Sequence, residues 1–154
     1  MIELDIRVKE ALTKINFIER YQRLSQTYNN VKTPLKERLR YIDGEIVLDG
    51  LAKLGYQAKF EKQENYFWIQ EVQMGTYTFS CHIGLENGMV DMVWIVKQDG
   101  TLILGLPIGE YPRLMIDPSY KIKKPIFGTY EDLDEILKSI FALFQEFQKA
   151  MVDL

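Results

Sequence analysis

The strongest constraint in this chain is a run of alternating residues broken by two-residue turn signals. Residues 57–62, 66–73, 76–86, 89–97 and 101–106 alternate apolar and polar positions and read as five strands. Glu64-Asn65, Met74-Gly75, Asn87-Gly88 and Asp99-Gly100 separate them. Asn-Gly and Asp-Gly favour type I′ turns, because both central residues must take positive φ. The pattern predicts an antiparallel meander. A two-residue loop at Asn87-Gly88 pairs Glu86 with Met89, so Leu85, Ile83, Cys81 and Phe79 oppose Val90, Met92, Trp94 and Val96. All eight then share one apolar face, which is expected to be core.

Helical periodicity flanks the strands. Val8, Leu12, Ile15, Tyr21 and Leu24 predict one helix from about Asp5 to Thr27. Thr33-Pro34 reads as an N-cap and N1 pair opening a short helix, and Asp43-Gly44 ends it. A third helix is expected from about Glu45 to Leu54, with Gly55 as its C′ residue and Tyr56 folding back on Leu51. Residues 107–128 hold four of the five prolines and read as an irregular connection, with a small hairpin around Asp117-Pro118. From a Thr129 N-cap, Leu133, Ile136, Leu137, Ile140, Phe141, Phe144, Phe147 and Met151 mark a broad apolar stripe on a long last helix. The expected fold is therefore α+β: N-terminal helices, a five-stranded antiparallel meander, and a long C-terminal helix on one sheet face. With 154 residues and no internal linker, it reads as one domain, large enough to bury roughly 68–70% of its unfolded surface.

The other sheet face is more ambiguous. A Met74-Gly75 loop would place Phe67 opposite His82 and Ile69 opposite Ser80. An Asp99-Gly100 loop would place Leu106 opposite Val93 and Leu104 opposite Ile95. Phe67, Val93 and Ile95 then gather around His82 as a second candidate surface, too apolar for a fully wet face. Either the N-terminal helices or the proline-rich segment cover it, or a partner does.

The residues point away from common catalytic chemistry. Cys81 and His82 are the only cysteine and histidine, and neighbours on a strand point to opposite faces, so they form no dyad. That pair excludes the usual zinc sites, and the calcium-loop, GxGxxG, GxxxxGK[ST] and GxSxG patterns are missing. No catalytic residue, metal or cofactor is expected. Tyr66-Phe67-Trp68 would suit base stacking, but few lysines accompany them, which argues against nucleic acid. No apolar stretch is long enough for a membrane span. The opening Met1-Ile2-Glu3-Leu4-Asp5 has no basic region before an apolar run, and one cysteine suits a reducing compartment, so a cytoplasmic protein is expected.

Charge is unevenly spread around a net −3. Residues 1–42 carry nine Lys/Arg against five Asp/Glu, whereas residues 129–154 carry two against six. The two ends either compensate each other or leave an acidic patch for a basic partner. Glu131, Asp132, Asp134 and Glu135 crowd the start of the last helix, where they also complement its dipole.

The leading helices, the meander from Phe60 to Leu106, and the Tyr130-Glu131-Asp132-Leu133-Asp134-Glu135 entry to a terminal helix give the chain a likeness. It resembles the single-domain immunity proteins that bacteria pair with secreted or contact-delivered toxins. That resemblance implies a non-catalytic protein that neutralises a cognate toxin, often a nuclease, by tight binding. Carboxylates complement a nuclease's basic cleft, so Glu131, Asp132, Asp134 and Glu135 are the first candidate contacts. The 109–124 loop, with Glu110, Tyr111 and Asp117, is the next. The alternatives are a dimer similar to type III secretion chaperones, whose order places a helix between the third and fourth strands, and a small-ligand domain using the His82 face.

Overall fold

A computed structural model describes residues 3–154; Met1 and Ile2, part of the opening read as leaderless, lie outside them. Five α-helices and one five-stranded sheet make up the described fold. Helix α1 (Ile6–Lys14) is capped by Asp5, whose carboxylate accepts from the Arg7 amide at 2.9 Å. The single helix expected to Thr27 is in fact two. Asn16 takes the left-handed conformation (φ 56°, ψ 45°), ends α1 and redirects the chain into α2 (Phe17–Thr27). The break swings Phe17 and Tyr21 into the core, where their rings stack at 5.4 Å.

Thr33-Pro34 does not open an α-helix. Pro34 is extended and only a 3-10 turn, Leu35–Glu37, follows. Thr33 is buried instead against Gly128, so tightly that a Cβ there would meet Thr33 Cγ2 at 2.9 Å. Helix α3 (Gly44–Lys53) ends as expected: Gly55 is at φ 94°, and the Gly55 and Tyr56 amides donate to Ala52 and Leu51.

The sheet is the expected meander: β1 (Ala58–Glu61), β2 (Tyr66–Met74), β3 (Tyr77–Gly84), β4 (Asp91–Gln98) and β5 (Thr101–Pro107), in that spatial order and antiparallel throughout. The β3–β4 register agrees with the sequence reading: Ile83 opposes Met92, Cys81 opposes Trp94 and Phe79 opposes Val96. Asn87 and Gly88 sit at φ 55° and 71°, and the Met89 amide donates to the Glu86 carbonyl at 3.0 Å.

The two outer registers differ by one residue. The β2–β3 turn is Gly75-Thr76, not Met74-Gly75, and β2 carries an extra residue between Ile69 and Val72. Phe67 therefore opposes Ile83 rather than His82. The Asp99-Gly100 turn is as expected, but Ile103 is an extra residue in β5, so Leu106 opposes Trp94 and Leu104 opposes Val96. Each bulge moves its strand's apolar residues to the other face. Phe67, Ile69 and Leu104 consequently lie in the core.

Residues 107–128 are more ordered than a loop. A 3-10 turn, Ile108–Glu110, leads into a short helix α4 (Tyr111–Met115), and Asp117-Pro118 forms a turn without a hairpin. The segment then seals the end of the β3–β4 hairpin: Val90 donates to Pro125 and Phe127 to Gly88. Helix α5 (Tyr130–Asp153) begins at Thr129, whose hydroxyl accepts from the Asp132 amide. Its stripe buries Phe144 and Phe147 at 5.0 and 5.1 Å from the Trp94 ring. Phe17 and Tyr111 approach the same indole at 5.6 and 5.8 Å. Trp94 is thus the point where α2, α4 and α5 meet the sheet. Val8, Leu12, Val47 and Leu51 carry α1 and α3 into the same core, so every helix contributes to one side of the sheet.

Candidate binding face

Among the described residues, no helix packs over the opposite side of the sheet. α1 and α2 were candidates to cover it, but their apolar residues go into the core that α5 shares. The proline-rich segment only reaches its rim, where Lys124 Nζ lies 3.4 Å from Asp91. Burial along β4 alternates accordingly: Met92, Trp94 and Val96 are buried, while Asp91, Val93, Ile95 and Lys97 are partly exposed.

Register lays out this face as rows across the strands. One row runs Lys59, Trp68, His82, Val93, Pro107 over all five strands. The next holds Ser80, Ile95 and Gly105. Ser80 is buried beneath its neighbours, and Leu102 folds over Gly105. Tyr66 stacks on His82 with ring centroids 4.2 Å apart and planes 16° from parallel. Desolvation lowers the His82 pKa below its ordinary 6.5. The face thus presents Trp68, Tyr66 and His82 as an aromatic strip, extended by Val93 and Ile95. Of the residues expected there, His82, Val93 and Ile95 are in place. Phe67 is not, because the β2 bulge turns it inward. Trp68 and Tyr66 replace it, and their adjacency to Phe67 on a strand was the signal, readable once the register is known.

Cys81 projects to the other side of β3 from His82. It is fully buried, and desolvation pushes its thiol pKa up. The two side chains are therefore not brought together. Among the described residues, no group of three or more His, Cys, Asp or Glu side chains is placed to hold a metal ion. No helix there is long and apolar enough to cross a membrane.

The acidic candidates divide. Asp132 is drawn into the α5 cap, with Oδ1 3.6 Å from Lys32 Nζ and Oδ2 accepting from the Gly128 amide at 3.5 Å. Asp134 Oδ1 lies against Gly50 of α3. Glu131, Asp134 and Glu135 are exposed, and Asp132 is partly buried. The compensation between basic start and acidic end is partly realised: Lys32 meets Asp132, and the Arg20 guanidinium donates to both Glu146 oxygens at 2.8 and 2.6 Å. In the 109–124 region, Tyr111 is fully buried and its hydroxyl donates to the Leu106 carbonyl at 3.1 Å. It is a core residue rather than a surface contact, because α4 turns it onto Trp94. Glu110 is paired with Arg113, and Asp117 accepts from the Ser119 amide at 2.8 Å. Each of these two carboxylates is engaged by a neighbour two or three residues along the chain.

The fold and this face together define the class: an α+β domain with all its helices on one side of a meander and an aromatic strip on the other. Compared with protein-family models, curated proteins and solved structures, the chain has no significant match.

Proposed function

We propose that this chain is a protein-binding module of the immunity type, which holds a cognate toxin in an inactive complex, and that the open sheet face is its working surface. One observation carries the reading. Trp68, Tyr66, His82, Val93 and Ile95 form an aromatic and aliphatic strip that none of the helices among the described residues covers. Tyr and Trp are enriched among the residues that dominate binding energy at protein interfaces, where they bury large area at low entropic cost. Contiguous apolar surface on a sheet is otherwise an aggregation liability, which an obligate partner removes. The exposed Glu131 and Glu135 add a long-range attraction for a basic partner, which raises the association rate more than the affinity.

The supporting experiment is protection. The chain is co-expressed with the product of the adjacent gene upstream, and growth and complex formation are measured for wild type, Trp68→Ala and Glu131→Lys/Glu135→Lys. Trp68→Ala is expected to weaken the complex by about thirtyfold or more and to abolish protection, since a buried interfacial aromatic contributes ~2 kcal/mol or more. The charge-reversed variant is expected to slow association mainly. Full protection by Trp68→Ala, with loss on reversing the two glutamates, would move the working surface to α5.

A further inference from the structure

The open face is not flat. Where β3 and β4 approach the Asn87-Gly88 turn, it dips into a concavity of about 280 Å³. Gly84 makes the dip: a Cβ built there meets nothing within 4 Å. One wall is the stacked Tyr66–His82 pair. The remaining rim carries the carboxylates of Glu64, Glu86 and Asp91 and a single ammonium, Lys124. Three negative groups against one positive group leave the concavity anionic. Asn65 Nδ2 donates to Glu86 Oε1 at 3.2 Å, which ties that carboxylate between two turns and leaves Oε2 without a partner among the described residues. Asp91 Oδ2 faces Lys124, while its Oδ1 accepts from the Met92 amide.

We propose that this concavity receives an arginine side chain of the partner protein. The volume is at the small end for ligand sites, suited to one long side chain rather than a cofactor. An aromatic wall beside carboxylates favours a cation. A guanidinium suits it better than an ammonium, because it is planar, stacks on a ring, sheds water more readily and donates from two nitrogens at once. In this arrangement the guanidinium lies along the Tyr66–His82 wall, donates to Glu86 and shares Asp91 with Lys124. The inference rests on the binding-module reading for the source of the arginine. Its chemistry rests on the concavity alone.

The test is an amide-resolved NMR titration of the full chain with N-acetyl-arginine methylamide, and with its lysine and citrulline counterparts. Citrulline keeps the shape of arginine and lacks the charge. Saturable shifts at Tyr66, His82, Gly84 and Asp91 are expected with arginine, and binding weaker by about tenfold or more with citrulline. Gly84→Val fills the dip with a residue that a strand accepts readily, and Glu86→Gln removes a charge without changing shape. Both are expected to lose the arginine response while the remaining spectrum stays that of the folded protein. No saturable shift, equal response to citrulline or to lysine, or a shift map away from Gly84 would overturn the assignment. Trp68 lies on the same face but outside the concavity, so its variant separates the two readings. A Trp68-dependent complex with no arginine response sinks the arginine site alone. An arginine response that Gly84→Val abolishes supports the site even where Trp68→Ala leaves protection intact.

Discussion

Substituting Tyr111 distinguishes a core residue from a surface contact. The ring is fully buried, tilted on Phe17 at 5.4 Å and edge-on to Trp94 at 5.8 Å, and its hydroxyl donates to Leu106 at 3.1 Å. Burial also raises its pKa well above the ordinary value for tyrosine, so it remains a neutral donor. Tyr111→Phe removes only the hydrogen bond, an expected cost of about 1 kcal/mol. In a domain of this size that lowers Tm by about 2–4 °C. Tyr111→Ala also removes the ring and opens a cavity beside Trp94, an expected cost of about 3–5 kcal/mol. Against a total stability on the order of 5–15 kcal/mol, this is a large fraction. Urea unfolding followed by far-UV circular dichroism measures both, with the slope m checked for constancy. An alanine variant within about 1 kcal/mol of wild type would refute the placement of this ring in the core. A phenylalanine variant as damaging as alanine would show that the hydroxyl, not the ring, carries the stability.

Two further tests address the register and the pairing of the chain's ends. Phe67 and Trp68 are neighbours on opposite faces, so Phe67→Ala is expected to cost about 3–5 kcal/mol and Trp68→Ala about 1 kcal/mol or less in urea unfolding; the reverse order would restore the register without the β2 bulge. Arg20 holds the Glu146 carboxyl below its ordinary value of 4.5, through its hydrogen bonds first and its charge second. The pair's contribution is therefore present above about pH 4.5 and is lost as pH falls through the lowered folded-state value. Because the pair is largely solvated, the expected size is about 0.2–1 kcal/mol. A double-mutant cycle of Arg20→Ala and Glu146→Gln at pH 7 and pH 3 measures it, and equal coupling at both pH values would contradict the assignment.

Much of the fold was legible wherever one short segment carried two independent signals. The β3–β4 register was readable because the Asn87-Gly88 turn and the alternation from Tyr77 to Leu85 impose the same pairing. The α3 terminus was readable because only Gly55 suits the positive φ that the cap requires. The stripe from Leu133 to Met151 specified a buried face for α5. Signals that stood alone were misleading. Thr33-Pro34 has the composition of a helix start, but Thr33 is held by its contact with Gly128, some 95 residues further along the chain.

What the sequence determined by itself is local: which segments are strands, where the Asn87-Gly88 and Asp99-Gly100 turns fall, how α3 ends and α5 begins, and that Cys81 and His82 point apart. Tertiary structure decided which face each outer strand presents. Ile69-Gln70-Glu71-Val72 and Leu102-Ile103-Leu104 satisfy alternation in either register, so a bulge leaves no trace in the pattern. Packing chooses, because only with the extra residue do Phe67, Ile69 and Leu104 join the core around Trp94. It likewise decided that Asn16 would break the first helix, that Tyr111 would leave the surface, and that α1 and α2 would share the side of α5. The binding face follows from that last choice. A strand's periodicity says that it has two faces, but only the placement of all the helices determines which one remains open.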